Sequence, residues 1–116
     1  MENRYLFRAK RIDTGEWVEW NMLTGIPHDV HILDSTICQC TGLVDKNGKL
    51  IWENDIMVAY YDEDSPEDAT YAMVVWRENA LVTVEKDSND FNPIDDFTTE
   101  YFEVVGTKFD NPELLE

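Results

Sequence analysis

Apolar and polar residues alternate along this chain with a period of two, and no stretch sustains a long helical period. Tyr5 to Ile12 sets Tyr5, Phe7 and Ala9 on one side of an extended segment and Leu6, Arg8 and Lys10 on the other. Asp13-Thr14-Gly15-Glu16 reads as a hairpin turn, and Glu16 to Met22 (EWVEWNM) as its return strand, ended by Thr24-Gly25-Ile26-Pro27. His28 to Leu33 and Thr36 to Leu43 read as two further short strands. Asp45 to Lys49 predicts a tight hairpin. There Asn47-Gly48 suits the central pair of a type I′ turn, where both residues need positive φ. Leu50-Ile51-Trp52 returns from it, Asn54-Asp55 forms a polar corner, and Ile56 to Tyr61 begins another strand.

Tyr71 to Arg77 and Leu81 to Glu85 are β-branched and aromatic runs separated by Glu78-Asn79-Ala80, a second hairpin. Ser65-Pro66 and Lys86 to Phe97 read as acidic loops, since proline disfavours a central strand. Tyr101 to Gly106 is the last strand. Asn111 as N-cap with Pro112 at the first helical position predicts one closing helical turn. The elements add up to a mainly β domain, a small barrel or a pair of bent sheets, over residues 1–116.

Composition changes the picture in one respect. Hydrophobic residues at 43% and four tryptophans are enough for a core, so the chain folds despite its charge. The charge itself is extreme: 25 acids against 9 bases leave −16. The acids gather as Asp62, Glu63, Asp64, Glu67 and Asp68 around Ser65-Pro66, and as Glu85, Asp87, Asp90, Asp95 and Asp96 around Asn92-Pro93. Arg4, Arg8, Lys10 and Arg11 lie together near the start. Phosphate contacts need a basic face, so direct nucleic-acid binding is not expected. No apolar run is long enough to span a bilayer, and Met1-Glu2-Asn3-Arg4 lacks a signal-peptide layout, so a cytoplasmic protein is expected.

Candidate chemistry is sparse. Cys38 and Cys40 fall on one face of a strand, where a disulfide between them would be strained; they read as reduced, buried thiols. Their combination with His28 and His31 as a zinc site lacks the usual ligand spacing. Asp62-Glu63-Asp64 could attract calcium, but Asp87 to Asn92 fails the EF-hand pattern, with Phe91 at a ligand position and no turn glycine. Ser35, Ser65 and Ser88 lack a nucleophile-elbow context, and Gly15, Gly25, Gly42, Gly48 and Gly106 are isolated, so no phosphate loop exists. No catalytic residue, metal or cofactor is assigned. Most of the aromatics read as core; an exposed Trp17 or Trp20 would instead mark a stacking surface.

Three blocks carry a resemblance. Phe7-Arg8-Ala9, then Gln39-Cys40-Thr41-Gly42-Leu43 with Asp45-Lys46-Asn47-Gly48 and Glu53-Asn54-Asp55-Ile56, then Phe102 to Gly106 with Asp110 to Leu115, resemble the conserved blocks of the YopX family. The chain departs at Lys10 and Cys40, where aromatics are usual, and at Asn54, where glycine is usual and Asn tolerates the same positive φ. Tyr61 to Glu100 matches little. The resemblance implies a mostly β fold with barrel character and a phage or prophage origin, with no activity and no catalytic residues. The expected function is therefore a non-enzymatic accessory protein that binds a host or phage protein. Asp62, Glu63, Asp64, Glu67, Asp68, Asp87, Asp90, Asp95 and Asp96 are its expected interaction surface. Two alternatives stand beside it: an acidic mimic of DNA that occupies a host nucleic-acid enzyme, and a small-ligand or nucleotide binder with an aromatic pocket. Self-association could cover the β-edges.

Overall fold

The alternation around Arg8 becomes a hairpin of β1 (Leu6–Lys10) and β2 (Trp17–Asn21), paired from Leu6↔Asn21 to Lys10↔Trp17. The computed structural model describes residues 3–60, 69–88 and 90–116. β3 (Cys38–Val44) pairs with β1 and with β4 (Leu50–Trp52), giving a first antiparallel sheet ordered β2-β1-β3-β4. The chain then crosses at Glu53-Asn54, where Asn54 takes φ 70°, into β5 (Asp55–Ala59). β6 (Thr70–Arg77), β7 (Ala80–Glu85), β8 (Phe91–Pro93), the short helix α1 (Asp96–Tyr101) and β9 (Phe102–Thr107) follow. The second sheet is ordered β8-β7-β6-β5-β9. The polar corner thus marks the passage between sheets. The architecture is two bent sheets, which form no closed barrel among the described residues.

Residues two apart on neighbouring strands share a face, and Met57, Ala59, Ala72 and Val74 do so in the register Met57↔Ala72. With Phe102 of β9 and with Ile51 of the first sheet they form the buried cluster. β5 is buried on both faces. By contrast, β1 and β2 contribute Ala9 alone to the fully buried apolar set. The first sheet is therefore the less covered of the two.

Four expectations are corrected. The Asn47-Gly48 turn is not type I′: positive φ occurs at Gly48 (83°) and not at Asn47. The cause is Asp45. Its carboxylate accepts the Asn47 and Lys49 N–H groups, each at 2.9 Å, and so fixes a type I turn followed by left-handed Gly48. The two consecutive positive-φ residues of a type I′ turn are instead Glu78 (49°) and Asn79 (71°), between β6 and β7. His28 to Leu33 is no strand but a single bridge, Arg11↔Ile32, since Asp29 at φ 64° breaks the extension. Lys86 to Phe97 is not wholly loop, because Phe91–Pro93 adds to the sheet edge and the helix starts at Asp96. Finally, Pro112–Leu115 forms the expected closing turn as a 3-10 helix, but Asn111 does not cap it. Asn111 Oδ1 accepts the Thr107 N–H at 3.2 Å, folding back over Gly106, which has no Cβ to obstruct it.

Candidate functional site

Arg8 stands at the middle of β1 and Asp55 at the start of β5, so side chains 47 positions apart meet between the sheets. Arg8 Nη2 donates to Asp55 Oδ1 at 2.7 Å, and the Trp52 N–H donates to Asp55 Oδ2 at 2.7 Å. The guanidinium carbon lies 4.4 Å from the Trp17 ring centroid and 4.8 Å from that of Trp52, close enough on both for cation–π attraction. The two side chains are 12% and 2% exposed. Burial pushes the Asp55 carboxyl up to about 6, against the pull of Arg8 and the Trp52 N–H towards the charged form. Arg8 Nε finds no acceptor among the described residues.

A second pair closes the same seam. Lys10 Nζ donates to Asp110 Oδ1, and the Trp17 indole N–H donates to Asp110 Oδ2 at 3.0 Å. Burial raises the Asp110 carboxyl, but the hydrogen bonds from Lys10, Trp17 and Thr107 outweigh it and hold the group below its ordinary value. Arg8, Trp17, Lys49, Asp55, Thr107 and Asp110 line a cleft of about 330 Å³. Both of these lining carboxylates already have a cation, Asp55 from Arg8 within the cleft and Asp110 from Lys10 beside it. The arrangement neutralises buried charge and clamps β1 to the second sheet, which fixes where the β1–β2 hairpin stands.

The far side of that hairpin is open. Trp20 stacks on Phe7, its partner in register, with centroids 6.3 Å apart and planes 18° from parallel. Beyond β2, Asn21 Oδ1 accepts the Leu23 and Thr24 N–H groups at 2.9 and 3.0 Å, and the Asn21 carbonyl accepts the Gly25 N–H at 2.9 Å. This turn holds Met22, Leu23 and Ile26 in water at 58%, 77% and 45% exposure. Beside it runs a groove of about 490 Å³ lined by Leu6, Glu19, Trp20, Ile26, Pro27 and His28, among others.

The acidic surface expected from the sequence is found only in part. Asp62, Glu63, Asp64, Glu67 and Asp68 lie outside the described residues. Asp87, Asp90, Asp95 and Asp96 are exposed between β7 and α1, but two of them have local roles. Asp95 Oδ1 accepts the Thr98 N–H at 3.3 Å, and Asp96 opens the helix, where a carboxylate is favoured. His28 and His31 are exposed while Cys38 and Cys40 are buried, so the histidine and cysteine pairs are not brought together. Burial raises both thiols. Among the described residues no group of three or more His, Cys, Asp or Glu could hold a metal ion, and no helix is long and apolar enough to cross a membrane. Trp17 and Trp20 are half-buried; the exposed tryptophan is Trp76 on β6.

Sequence reading missed the Arg8–Asp55 clamp and the Met22–Ile26 surface. A signal existed for the second, since Met22 and Leu23 stand directly before a Thr-Gly turn where solvent is the expected neighbour. A family model described as "YopX protein" matches residues 10–116. The crystal structure of protein EF1440 from Enterococcus faecalis is similar over 95% of this chain and 96% of that one, with a TM-score of 0.61 and 23% identity, a likeness of fold. No curated protein matches the sequence.

Proposed function

The chain belongs to the YopX family, and from that premise we propose that it is a phage- or prophage-derived, non-enzymatic cytoplasmic protein that works by binding another protein. One observation carries the binding reading: Met22, Leu23 and Ile26 are held exposed by a turn hydrogen-bonded to Asn21, beside the groove at Trp20. Large apolar side chains grouped on the surface of so polar a chain add nothing to its core and favour a protein contact. The −16 charge sets the sign of the partner, which is basic around an apolar centre. The phage origin rests on the family resemblance.

The test is a paired capture. The protein and its Leu23→Glu variant serve as baits in a Gram-positive lysate, washed in rising salt and read by mass spectrometry. Leu23 is too exposed for the substitution to disturb folding. The expected result is a partner held by the parent protein and depleted about fivefold or more by the variant, the size of loss a central apolar contact produces. Equal capture by both baits refutes the assignment of binding to the Met22–Ile26 surface. So does capture of a nucleic-acid enzyme that salt and DNA displace but Leu23→Glu does not, which would favour the acidic mimic.

A further inference from the structure

The hairpin register decides which backbone groups of β2 are already bonded. The Met22 N–H donates to the Tyr5 carbonyl at 3.0 Å and the Arg11 N–H to the Glu16 carbonyl at 2.9 Å. Hydrogen-bonded pairs recur every second residue in an antiparallel ladder, so Phe7↔Trp20 and Ala9↔Val18 are the bonded pairs between those two. Leu6↔Asn21, Arg8↔Glu19 and Lys10↔Trp17 are the non-bonded ones, and their N–H and C=O groups point away from the hairpin. On β1 these groups meet neighbours. Lys10 donates to the Thr36 hydroxyl and accepts from the Leu33 N–H, and Arg8 pairs with Cys38 of β3. On β2, the edge of its sheet, the Asn21 carbonyl is closed by Gly25, while the groups of Trp17 and Glu19 have no partner among the described residues.

The groove lies along the same line. It is lined by Glu19, Trp20 and Asn21 in succession, and successive side chains of a strand leave on opposite faces. A groove that touches three in a row reaches the edge of the strand, and Leu6, the partner of Asn21 on β1, lines its inner side. Thr24 to His28 forms its other wall. We infer that the open edge of β2 takes an extended segment of the partner as an added strand, with the Trp20–Pro27 groove receiving its side chains. The proposal rests on the reading of the chain as a protein-binding module.

Charge selects the occupant. Glu19 is exposed at the centre of the edge, Glu16 precedes it, and the chain carries −16. The segment that fits alternates apolar and basic residues. A second copy pairing antiparallel about the middle of β2 would set Glu19 against Glu19, a destabilising like-charge pair.

The probe is the blocked peptide Lys-Val-Lys-Val-Lys-Val-Lys, titrated into ¹⁵N-labelled protein. The expected result is saturable binding that slows hydrogen exchange at the Trp17 and Glu19 amides and leaves Val18 and Trp20 unchanged. Glu19→Pro, compared with Glu19→Gln so that the loss of the carboxylate cancels, removes the outward donor without removing a bond of the fold, because proline is tolerated on an edge strand with its nitrogen towards solvent. It is expected to weaken binding about tenfold or more, as is methylation of alternate peptide nitrogens. The methylated peptide answers the same question if the proline variant loses its fold. Absence of saturable binding, equal binding of the methylated peptide, or protection of the same amides in a peptide-free dimer overturns the proposal. In lysate capture, a partner lost by Leu23→Glu and kept by folded Glu19→Pro overturns strand addition alone. A partner kept by both overturns the reading that the Met22–Ile26 surface binds it, and with that the premise of strand addition beside it.

Discussion

Replacing Asp55 by alanine removes both oxygens that hold the seam and strands two donors, Arg8 Nη2 and the Trp52 N–H. Trp52 is buried, and a backbone N–H left without an acceptor there costs about 1–3 kcal/mol. Arg8 keeps its charge between two indoles at 12% side-chain exposure, which raises the total to roughly 3–5 kcal/mol. Stability for a chain of this length is roughly 6–17 kcal/mol, so the loss is a large part of it. Asp55→Asn separates charge from hydrogen bonding. It keeps one oxygen, strands one donor and relieves the desolvation that pushes the carboxyl up, so its expected cost is smaller, about 1–2 kcal/mol. Urea unfolding followed by tryptophan fluorescence measures both, as a lowered midpoint with unchanged slope. An alanine variant that loses less than about 1 kcal/mol, or less than the asparagine variant, refutes the account of the clamp.

Three further outcomes follow from the same geometry. Asp55 has a folded pKa of about 6 against 3.8 unfolded, so the folded state holds its proton more tightly. The stabilisation that comes from holding this proton is complete below pH 3.8 and is lost as pH rises through 6, by up to roughly 3 kcal/mol; urea midpoints across that range should fall in the parent protein relative to Asp55→Asn. Asp45→Ala strands the Asn47, Lys49 and Val104 N–H groups and is expected to cost about 2–4 kcal/mol, with faster hydrogen exchange at Val104 as its local signature. Placing Asn-Gly at Glu78-Asn79 (Glu78→Asn with Asn79→Gly) suits both positive-φ sites and should stabilise by about 1 kcal/mol, read as a rise in Tm.

What was legible in the sequence was local. Alternation located β1, β2 and the β6–β7 hairpin, and Asn54 located the corner between sheets, because each depends on neighbours in the chain. The turn type at Asn47-Gly48 was misread because Asp45, two residues away, supplies side-chain acceptors that a dipeptide preference ignores. Helix α1 escaped because six residues, DFTTEY, are too few to show a period. The Arg8–Asp55 pair joins positions 47 apart, and nothing in either neighbourhood names the other. The acidic residues were visible as a composition, yet which of them serve a helix start and which face solvent depends on where the backbone turns.

The passage between sheets at Glu53-Asn54 also sets an order of events during synthesis. All strands of the first sheet lie between Leu6 and Trp52, so that sheet can pair as soon as those residues have left the ribosome. The second sheet cannot close until β9 has been made, some seconds later at the usual ~5–20 residues per second. In that interval the face carrying Arg8, Cys38 and Cys40 has no lid. Thiols sealed in the finished protein are then open to oxidants, and an arginine later fixed between two indoles still waits for its carboxylate.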